Sequence, residues 1–238
     1  MPRFFKEEFG KEPFLTGGDA KHIALSLRMK VGEELIVSDT KGTDFLCRIS
    51  SLTPDRVDLT VQNETENLTE PHTKVTLFQC LPKGDKMDLI VRQAVELGIY
   101  EIYPVLSERC ISRPDKKSIK KKTERWQKIA DEASGQSGRG IKPKIQDLIN
   151  FPEYCKMIKE YDVSLFFYEA GGEPLKNIIG SQKNIAVTVG CEGGFSVTEA
   201  AAAAENGART VTLGKRILRC ETAPTVATAC VMLLTDNM

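Results

Sequence analysis

The 238-residue chain predicts an α/β protein in two parts, a β-rich module over residues 1–71 and an α/β domain over residues 72–238. Three observations predict it. Short, partly alternating apolar runs recur as far as Val61. From Lys74 onward, β-branched runs alternate with stretches of helical period. Between them, Gln62 to Thr73 is polar, contains Pro71 and reads as a linker.

In the first module, Glu34–Val37, Asp44–Ile49 and Arg56–Val61 are expected strands. The turn residues Ser38 to Gly42 and Thr53-Pro54-Asp55 separate them. A repeat of roughly ten residues fits a small barrel. Lys21 to Arg28 is expected to be a short helix inside it.

The second part opens with a strand, Val75–Cys80, and the turn Leu81-Pro82-Lys83-Gly84. Met87, Ile90, Val91, Ala94 and Leu97 then recur at helical spacing, and Gly98 stops that helix before the strand Glu101–Leu106. This is a βαβ unit, whose crossover should be right-handed. Another helix includes Trp126, Ile129, Ala130 and Ala133 and ends within 135–140. Phe151 to Lys159 is expected to be helical, and Val163–Tyr168 a buried strand. Ile185–Val189 and Thr210–Leu213 are further strands. Ser196 and Glu199 have capping-box spacing for a helix over Val197–Ala204. Ala223 to Leu234 is a last helix with Pro224 in its first turn.

Bulk composition narrows the function classes. No segment has about 18 uninterrupted apolar residues, and the N-terminus has no apolar signal core, so no membrane partner and a cytoplasmic location are expected. The cysteines at 47, 80, 110, 155, 191, 220 and 230 are odd in number and form no Cys-x-x-Cys, which argues against disulfides and structural zinc. His22 and His72 are the only histidines, little material for a histidine triad or metal site, and no metal is expected. The net charge is +0, but Arg113, Lys116, Lys117, Lys120, Lys121, Lys122, Arg125 and Lys128 crowd one stretch. That run either neutralises nucleic-acid phosphates or is a solvated helix face.

The most informative segment runs from Ile185 to Ala223, where two β-branched runs each stop at a glycine-bearing turn. Such a pairing of strand end and glycine turn predicts one pocket at the edge of a parallel sheet. It carries no dinucleotide or Walker fingerprint, which counts against a nucleotide-dependent enzyme.

The sequence of 190–196, Gly-Cys-Glu-Gly-Gly-Phe-Ser, resembles the Gly-Pro-Glu-Gly-Gly-Phe-Ser segment of the RsmE family. Residues 213–223, Leu-Gly-Lys-Arg-Ile-Leu-Arg-Cys-Glu-Thr-Ala, resemble that family's Leu-Gly-Pro-Arg-Ile-Leu-Arg-Thr-Glu-Thr-Ala. Gln136-Ser137-Gly138-Arg139 resembles its Glu-Gln-Ser-Gly-Arg, with Gly135 in place of the glutamate, and Arg3-Phe4-Phe5 matches its N-terminal signature. The resemblance covers essentially the whole chain. It implies a PUA-like barrel for RNA docking, followed by a SPOUT domain with a C-terminal trefoil knot. It also implies a homodimer that methylates uridine N3 in 16S ribosomal RNA, naked or in the assembled small subunit, with S-adenosylmethionine.

On this resemblance the cofactor contacts fall at three backbone turns. Tyr168 and Glu169 belong to the first, and Val189, Gly190, Glu192 and Gly194 to the second. Leu213, Gly214, Ile217, Leu218, Thr222 and Ala223 belong to the third. Leu213, Ile217 and Leu218 would line an adenine slot, and Glu192 would orient Arg139 or a turn. Uridine N3 is a poor nucleophile until its proton leaves, and the departing proton puts charge on the flanking carbonyl oxygens. Glu221 is the candidate acceptor and Arg219 the candidate stabiliser, although the two could instead form a structural pair. Arg139, from the partner subunit, could reach a phosphate or the uracil oxygens. Arg3, Arg113, Lys121 and Gln136 are the other candidate RNA contacts, with Phe4 and Phe5 better read as anchors of the barrel.

Three departures matter. Cys191 and Lys215 stand where the family usually has proline, and Cys220 where it has threonine. Each lost proline adds unfolded-state entropy worth about 0.4–1 kcal/mol, too little to abolish a pocket. An RNA-binding dimeric scaffold with an inactive pocket is the competing reading.

Overall fold

A computed structural model describes the backbone of all 238 residues and every side chain except that of Lys11. The chain divides into two compact units. One is Met1–Glu70 with Ser134–Lys142, and the other is Pro71–Ala133 with Pro143–Met238.

The first unit is a curled five-stranded sheet. Its strands are β1 (Arg3–Phe5), β2 (Phe14–Thr16), β3 (Glu34–Ser38), β4 (Thr43–Leu52) and β5 (Arg56–Glu66), in the order β1-β3-β4-β5-β2. Only β1 and β3 run parallel. The β4–β5 ladder slips register between Leu46 and Cys47 and again between Ile49 and Ser51. Such bulges bend a strand and increase its twist. Alternating side chains Leu35, Val37, Cys47, Ile49, Val57 and Leu59 turn inward with Phe9 and Ile23 to make the core.

Two expectations are corrected here. The stretch from Gln62 to Glu66 is strand, not linker: Asn63, Glu64, Thr65 and Glu66 pair with Leu46, Phe45, Asp44 and Thr43. Its polar side chains lie outward, so the backbone ladder holds it without an apolar pattern to mark it. The helix expected over Lys21–Arg28 starts earlier, as α1 (Gly17–Lys21), and continues as a π-helical turn, His22–Ser26. It is over by Arg28, whose φ of 52° lies in the left-handed region.

The second unit holds β6 (Lys74–Cys80), α2 (Lys86–Glu96), β7 (Glu101–Leu106), α3 (Lys116–Ser137, its last turn grouping with the first unit), β8 (Lys144–Ile145), β9 (Ile149–Asn150), α4 (Phe151–Met157), β10 (Val163–Phe167), β11 (Glu173–Pro174), β12 (Asn184–Val189), α5 (Val197–Glu205), β13 (Ala208–Thr212) and α6 (Ala223–Leu234). Seven strands follow the order β11-β13-β10-β12-β6-β7-β8, with β9 also on β7, and every pairing is parallel. Strands of a parallel sheet covered on both faces are apolar throughout rather than alternating. Accordingly, every residue of β10 is buried, as is every residue of β12 after Asn184. Met87, Ile90, Val91, Ala94 and Val95 bury one stripe of α2.

Helix starts follow local chemistry. Asn150 with Glu153, and Ser196 with Glu199, form complete capping boxes at α4 and α5. Pro224 occupies the first turn of α6, where a missing N–H costs nothing. The short strands β1, β2, β8, β9 and β11 escaped prediction, because two or three residues carry no readable period. No helix among the described residues is long and apolar enough to cross a membrane.

Candidate functional site

The carboxyl ends of β10, β12 and β13 open into one cavity of about 630 Å³. That edge is where parallel α/β sheets bind ligands. Three turns line it. The first, after β10, contributes Tyr168 and Glu169; the backbone N–H of Tyr168 donates to the Val211 carbonyl at 3.3 Å.

The second turn leaves β12 at Val189. Cys191 bridges Gly194, whose N–H donates to the Cys191 carbonyl at 3.0 Å. Gly194 has φ +61°, and a Cβ there would collide with the Glu169 carboxylate. A Cβ on Gly190 would lie 3.1 Å from the Gly194 Cα. Phe195 then drives into the core against Phe166, with ring centroids 4.2 Å apart, and anchors the turn.

The third turn leaves β13 at Thr212, whose hydroxyl accepts from the Gly214 N–H at 3.1 Å. It carries Leu213, Gly214, Lys215, Arg216, Ile217, Leu218, Arg219, Cys220 and Glu221 past the cavity. It closes where the N–H groups of Thr222 and Ala223 donate to the Arg219 carbonyl at 2.9 and 2.8 Å. Ile217 is 82% exposed although it lines the cavity, so its apolar surface is available to a ligand.

The two glycine turns therefore share one cavity. Tyr168, Glu169, Val189, Gly190, Glu192, Gly194, Leu213, Gly214, Ile217, Leu218 and Ala223 all line it, together with Arg219 and Glu221. Thr222 does not line it; Thr222 is the residue ahead of α6 and its carbonyl accepts from the Val226 N–H.

The charge at the floor comes from a residue that sequence reasoning missed. The Lys86 ammonium lies 2.9 Å from Glu192 Oε1 and 3.3 Å from Glu221 Oε2. It also lies 3.7 Å from Cys220 Sγ. Its hydrogen bond to Glu192 raises the Lys86 pKa above the ordinary lysine value, so it stays cationic. Burial works to raise the Glu192 pKa, but hydrogen bonds from Lys86 and the Lys83 N–H outweigh it, and the carboxyl ends below its usual range. Glu221 is also held below that range, by the Cys220 thiol first and by Lys86 as well. Burial, with Glu221 beside it, pushes the Cys220 thiol up to about 12. A hydrogen bond with the Cys110 thiol, and burial after it, likewise push Cys191 up. Both thiols are protonated and poor nucleophiles.

Arg109 was missed too. It donates to the Gly193 carbonyl at 2.9 Å and lies 3.9 Å from Glu169, holding the second turn from outside. The sequence signal for Lys86 was its place just after the turn that follows β6, the strand beside β12, although nothing local told which way it would point.

The other candidates lie elsewhere. Lys121 is exposed on α3, as are Lys116, Lys117, Lys120 and Lys128, so the basic run is a helix face. Arg113 donates to the carbonyls of Ser107 and Glu108 at 3.3 and 2.8 Å. In the first unit Arg3 forms a two-pronged ion pair with Asp44, at 2.5 and 2.8 Å, with its side chain 8% exposed. Arg139 is 3% exposed and pairs with Glu70 at 2.5 Å. The same carboxylate accepts from the N–H groups of Gly140 and Ile141. Gln136 is exposed. No group of three or more His, Cys, Asp or Glu among the described residues could hold a metal ion.

Comparison with known proteins agrees with this geometry. A family model described as an RNA methyltransferase domain matches residues 69–232, and one described as an RNA methyltransferase PUA domain matches residues 15–62. The ribosomal RNA small subunit methyltransferase E of Bacillus subtilis is 30% identical over 250 residues, covering 99% of this chain and 98% of the relative. That of Aquifex aeolicus is 34% identical, covering 94% of this chain and 95% of its own. Among solved structures, the small subunit methyltransferase E of Neisseria gonorrhoeae, bound to S-adenosyl methionine, superposes with a TM-score of 0.88 at 32% identity, covering 98% of each chain. A methyltransferase of Legionella pneumophila with bound SAM gives a TM-score of 0.90 at 25% identity, covering 98% of this chain and 97% of that one.

Proposed function

The chain belongs to the ribosomal RNA small subunit methyltransferase E (RsmE) family, and we propose that it methylates N3 of a uridine in 16S ribosomal RNA with S-adenosylmethionine. The observation that carries this reading is the single cavity shared by the turns after β12 and β13, with Glu221 and Arg219 on its wall.

The cavity suits the methyl donor. Its volume of about 630 Å³ lies within the range of roughly 300–1,000 Å³ usual for small-ligand pockets. Leu213, Ile217 and Leu218 offer an apolar slot for adenine, and exposed peptide groups of the glycine turns suit the base and ribose edges. Glu169, Glu192 and Glu221 offer negative charge to a cation, alongside Lys86, Lys215, Arg216 and Arg219 in the same lining. When bound, S-adenosylmethionine supplies an electrophilic methyl group on a positively charged sulfur that leaves as a neutral thioether.

The protein's part is positioning and charge. Glu221, ionised at neutral pH, takes the N3 proton, and the electron pair left on N3 forms the new N–CH₃ bond. Arg219, exposed at the cavity, stabilises the charge that grows on the uracil oxygens.

The remaining assignments follow from the same reading. Residues 1–71 dock RNA as a PUA-like barrel and residues 72–238 carry the chemistry. A trefoil knot in the second part is supported by the path of the chain: β13 lies outside β10, yet α6 returns to pack on β12 and β6. Dimerisation is supported by Leu89, Leu233 and Leu234, which are exposed on the neighbouring helices α2 and α6. Arg113 and Lys121 contribute to an RNA-facing surface, and Gln136 adds a hydrogen-bonding side chain. Arg3 and Arg139 reach RNA only by giving up Asp44 and Glu70. A ribosomal substrate places the protein in the cytoplasm.

The test is to incubate the protein with radiolabelled S-adenosylmethionine and either naked 16S RNA or small subunits, then digest and map the label. Label in 3-methyluridine is the expected result. Label in another nucleoside overturns the assignment. No label together with tight cofactor binding by calorimetry leaves an inactive scaffold instead.

A further inference from the structure

Lys86 belongs to none of the three turns, yet its ammonium touches the second, at Glu192, and the third, at Glu221. We propose that Lys86 is a positioning residue for methyl transfer, its ammonium binding Glu192 and Glu221 into one ion-paired unit that sets where Glu221 faces. This rests on the methyltransferase reading above.

Rigidity supports it. Lys86 is the first residue of α2, directly after the tight turn at Gly84, where φ is +61°. One end of the ion-paired unit is fixed, because the Glu192 carboxylate also accepts from the Lys83 N–H at 3.1 and 3.3 Å. The other end is fixed through helix packing. Thr225, in the first turn of α6, donates to Gln93 of α2 at 2.8 Å, so Lys86 at the start of α2 and Glu221 two residues ahead of α6 are held by a tied helix pair. A side chain held by a rigid element is a precise orienting device.

Charge supports it as well. Glu192 and Glu221 come from different turns and converge on one cation, with the neutral Cys220 thiol beside it. The other cations lining the cavity, Lys215, Arg216 and Arg219, are exposed and make no ion pair with either carboxylate among the described contacts. Asp85, just ahead of α2, and Asp88, on it, are occupied by Arg125. Without Lys86 the two carboxylates face each other uncompensated, and one must turn away or take up a proton.

The test compares Lys86→Met and Lys86→Arg with the unaltered protein. Three quantities are measured: cofactor Kd by calorimetry, kcat on small subunits, and the titration of the Glu221 carboxylate by carbon-13 NMR. In Lys86→Met, Kd should stay within about threefold, while kcat falls about 100-fold, the loss expected from a misplaced reacting group. Its Glu221 titration should move to higher pH, because a cation is lost. Lys86→Arg, which keeps the charge, should recover kcat to within about tenfold. The proposal is overturned by a Lys86→Met kcat within about threefold of normal, by an unmoved Glu221 titration, or by equal impairment in both variants. If the unaltered protein transfers no methyl group, the methyltransferase reading fails, and the Glu221 titration still decides whether Lys86 governs that carboxylate.

Discussion

Replacing Gly194 with alanine separates backbone strain from loss of the site. Gly194 has φ +61°, a conformation that costs an L-residue roughly 1–2 kcal/mol. For a chain of this length that corresponds to a Tm drop of about 2–8 °C. Gly207 offers the control: its φ is +94° and a Cβ there meets nothing within 4 Å. Gly207→Ala should therefore show a similar fall in Tm. The two differ in what the new methyl group meets. At Gly194 it overlaps the Glu169 carboxylate, so Glu169 must leave its place on the cavity wall. Loss of that wall should weaken cofactor binding at least tenfold, or about 1.4 kcal/mol. Calorimetry with S-adenosylmethionine and thermal melts on both variants complete the experiment. Gly194→Ala binding within about threefold of normal would refute the reasoning, as would an equal loss of binding in Gly207→Ala.

Three further outcomes are expected. In Glu221→Gln the proposed proton acceptor is gone while the cofactor should still bind, so the rate should climb with pH, about tenfold per unit, as uracil loses its own proton. The unaltered enzyme should stay flat down past the ordinary glutamate pKa of about 4.3, because Glu221 is held lower; parallel pH profiles would remove Glu221 from the mechanism. Ser196→Ala breaks the α5 capping box and should cost about 1 kcal/mol and roughly 2–4 °C in Tm, read by thermal melting. Of the seven cysteines only Cys230 is not buried, so a bulky thiol reagent should label at most one site quickly in the native protein; rapid labelling of Cys220 would contradict its high pKa and its burial.

The second unit was largely legible because long apolar runs and helical periods carry their own signal. Glu101–Leu106 and Ala223–Leu234 fall where the residues place them, and the Ser196–Glu199 box closes as its spacing requires. The cavity was legible through its glycines, since Gly194 and Gly214 both take positive φ. What could not be read depends on contacts distant in sequence. Nothing around Lys86 announces that Glu192 and Glu221 will meet it. Nothing in Gln62–Glu66 announces pairing with β4, because an outward-facing polar strand looks like a linker. Arg3 and Arg139 read as RNA contacts from type and neighbours alone, whereas their partners, Asp44 and Glu70, are far away along the chain.

The charge state of Glu221 constrains how such a site can work. A carboxylate stabilised by Cys220 and Lys86 binds a proton more weakly than an ordinary glutamate. Basicity alone is therefore a poor explanation for proton removal from uracil. Location remains. The same Lys86 that weakens Glu221 as a base lies 3.3 Å from it, and in the proposed role also fixes it on the cavity wall, ionised at neutral pH. Arg219 sits on that wall, where charge would grow on the uracil oxygens, so the proton can leave as the new bond forms rather than before it. A sulfonium ion adds positive charge at the same place; Glu169, Glu192 and Glu221 line it, but so do Lys86, Lys215, Arg216 and Arg219, so overall charge balance does not select the ligand and the local placement of each carboxylate does.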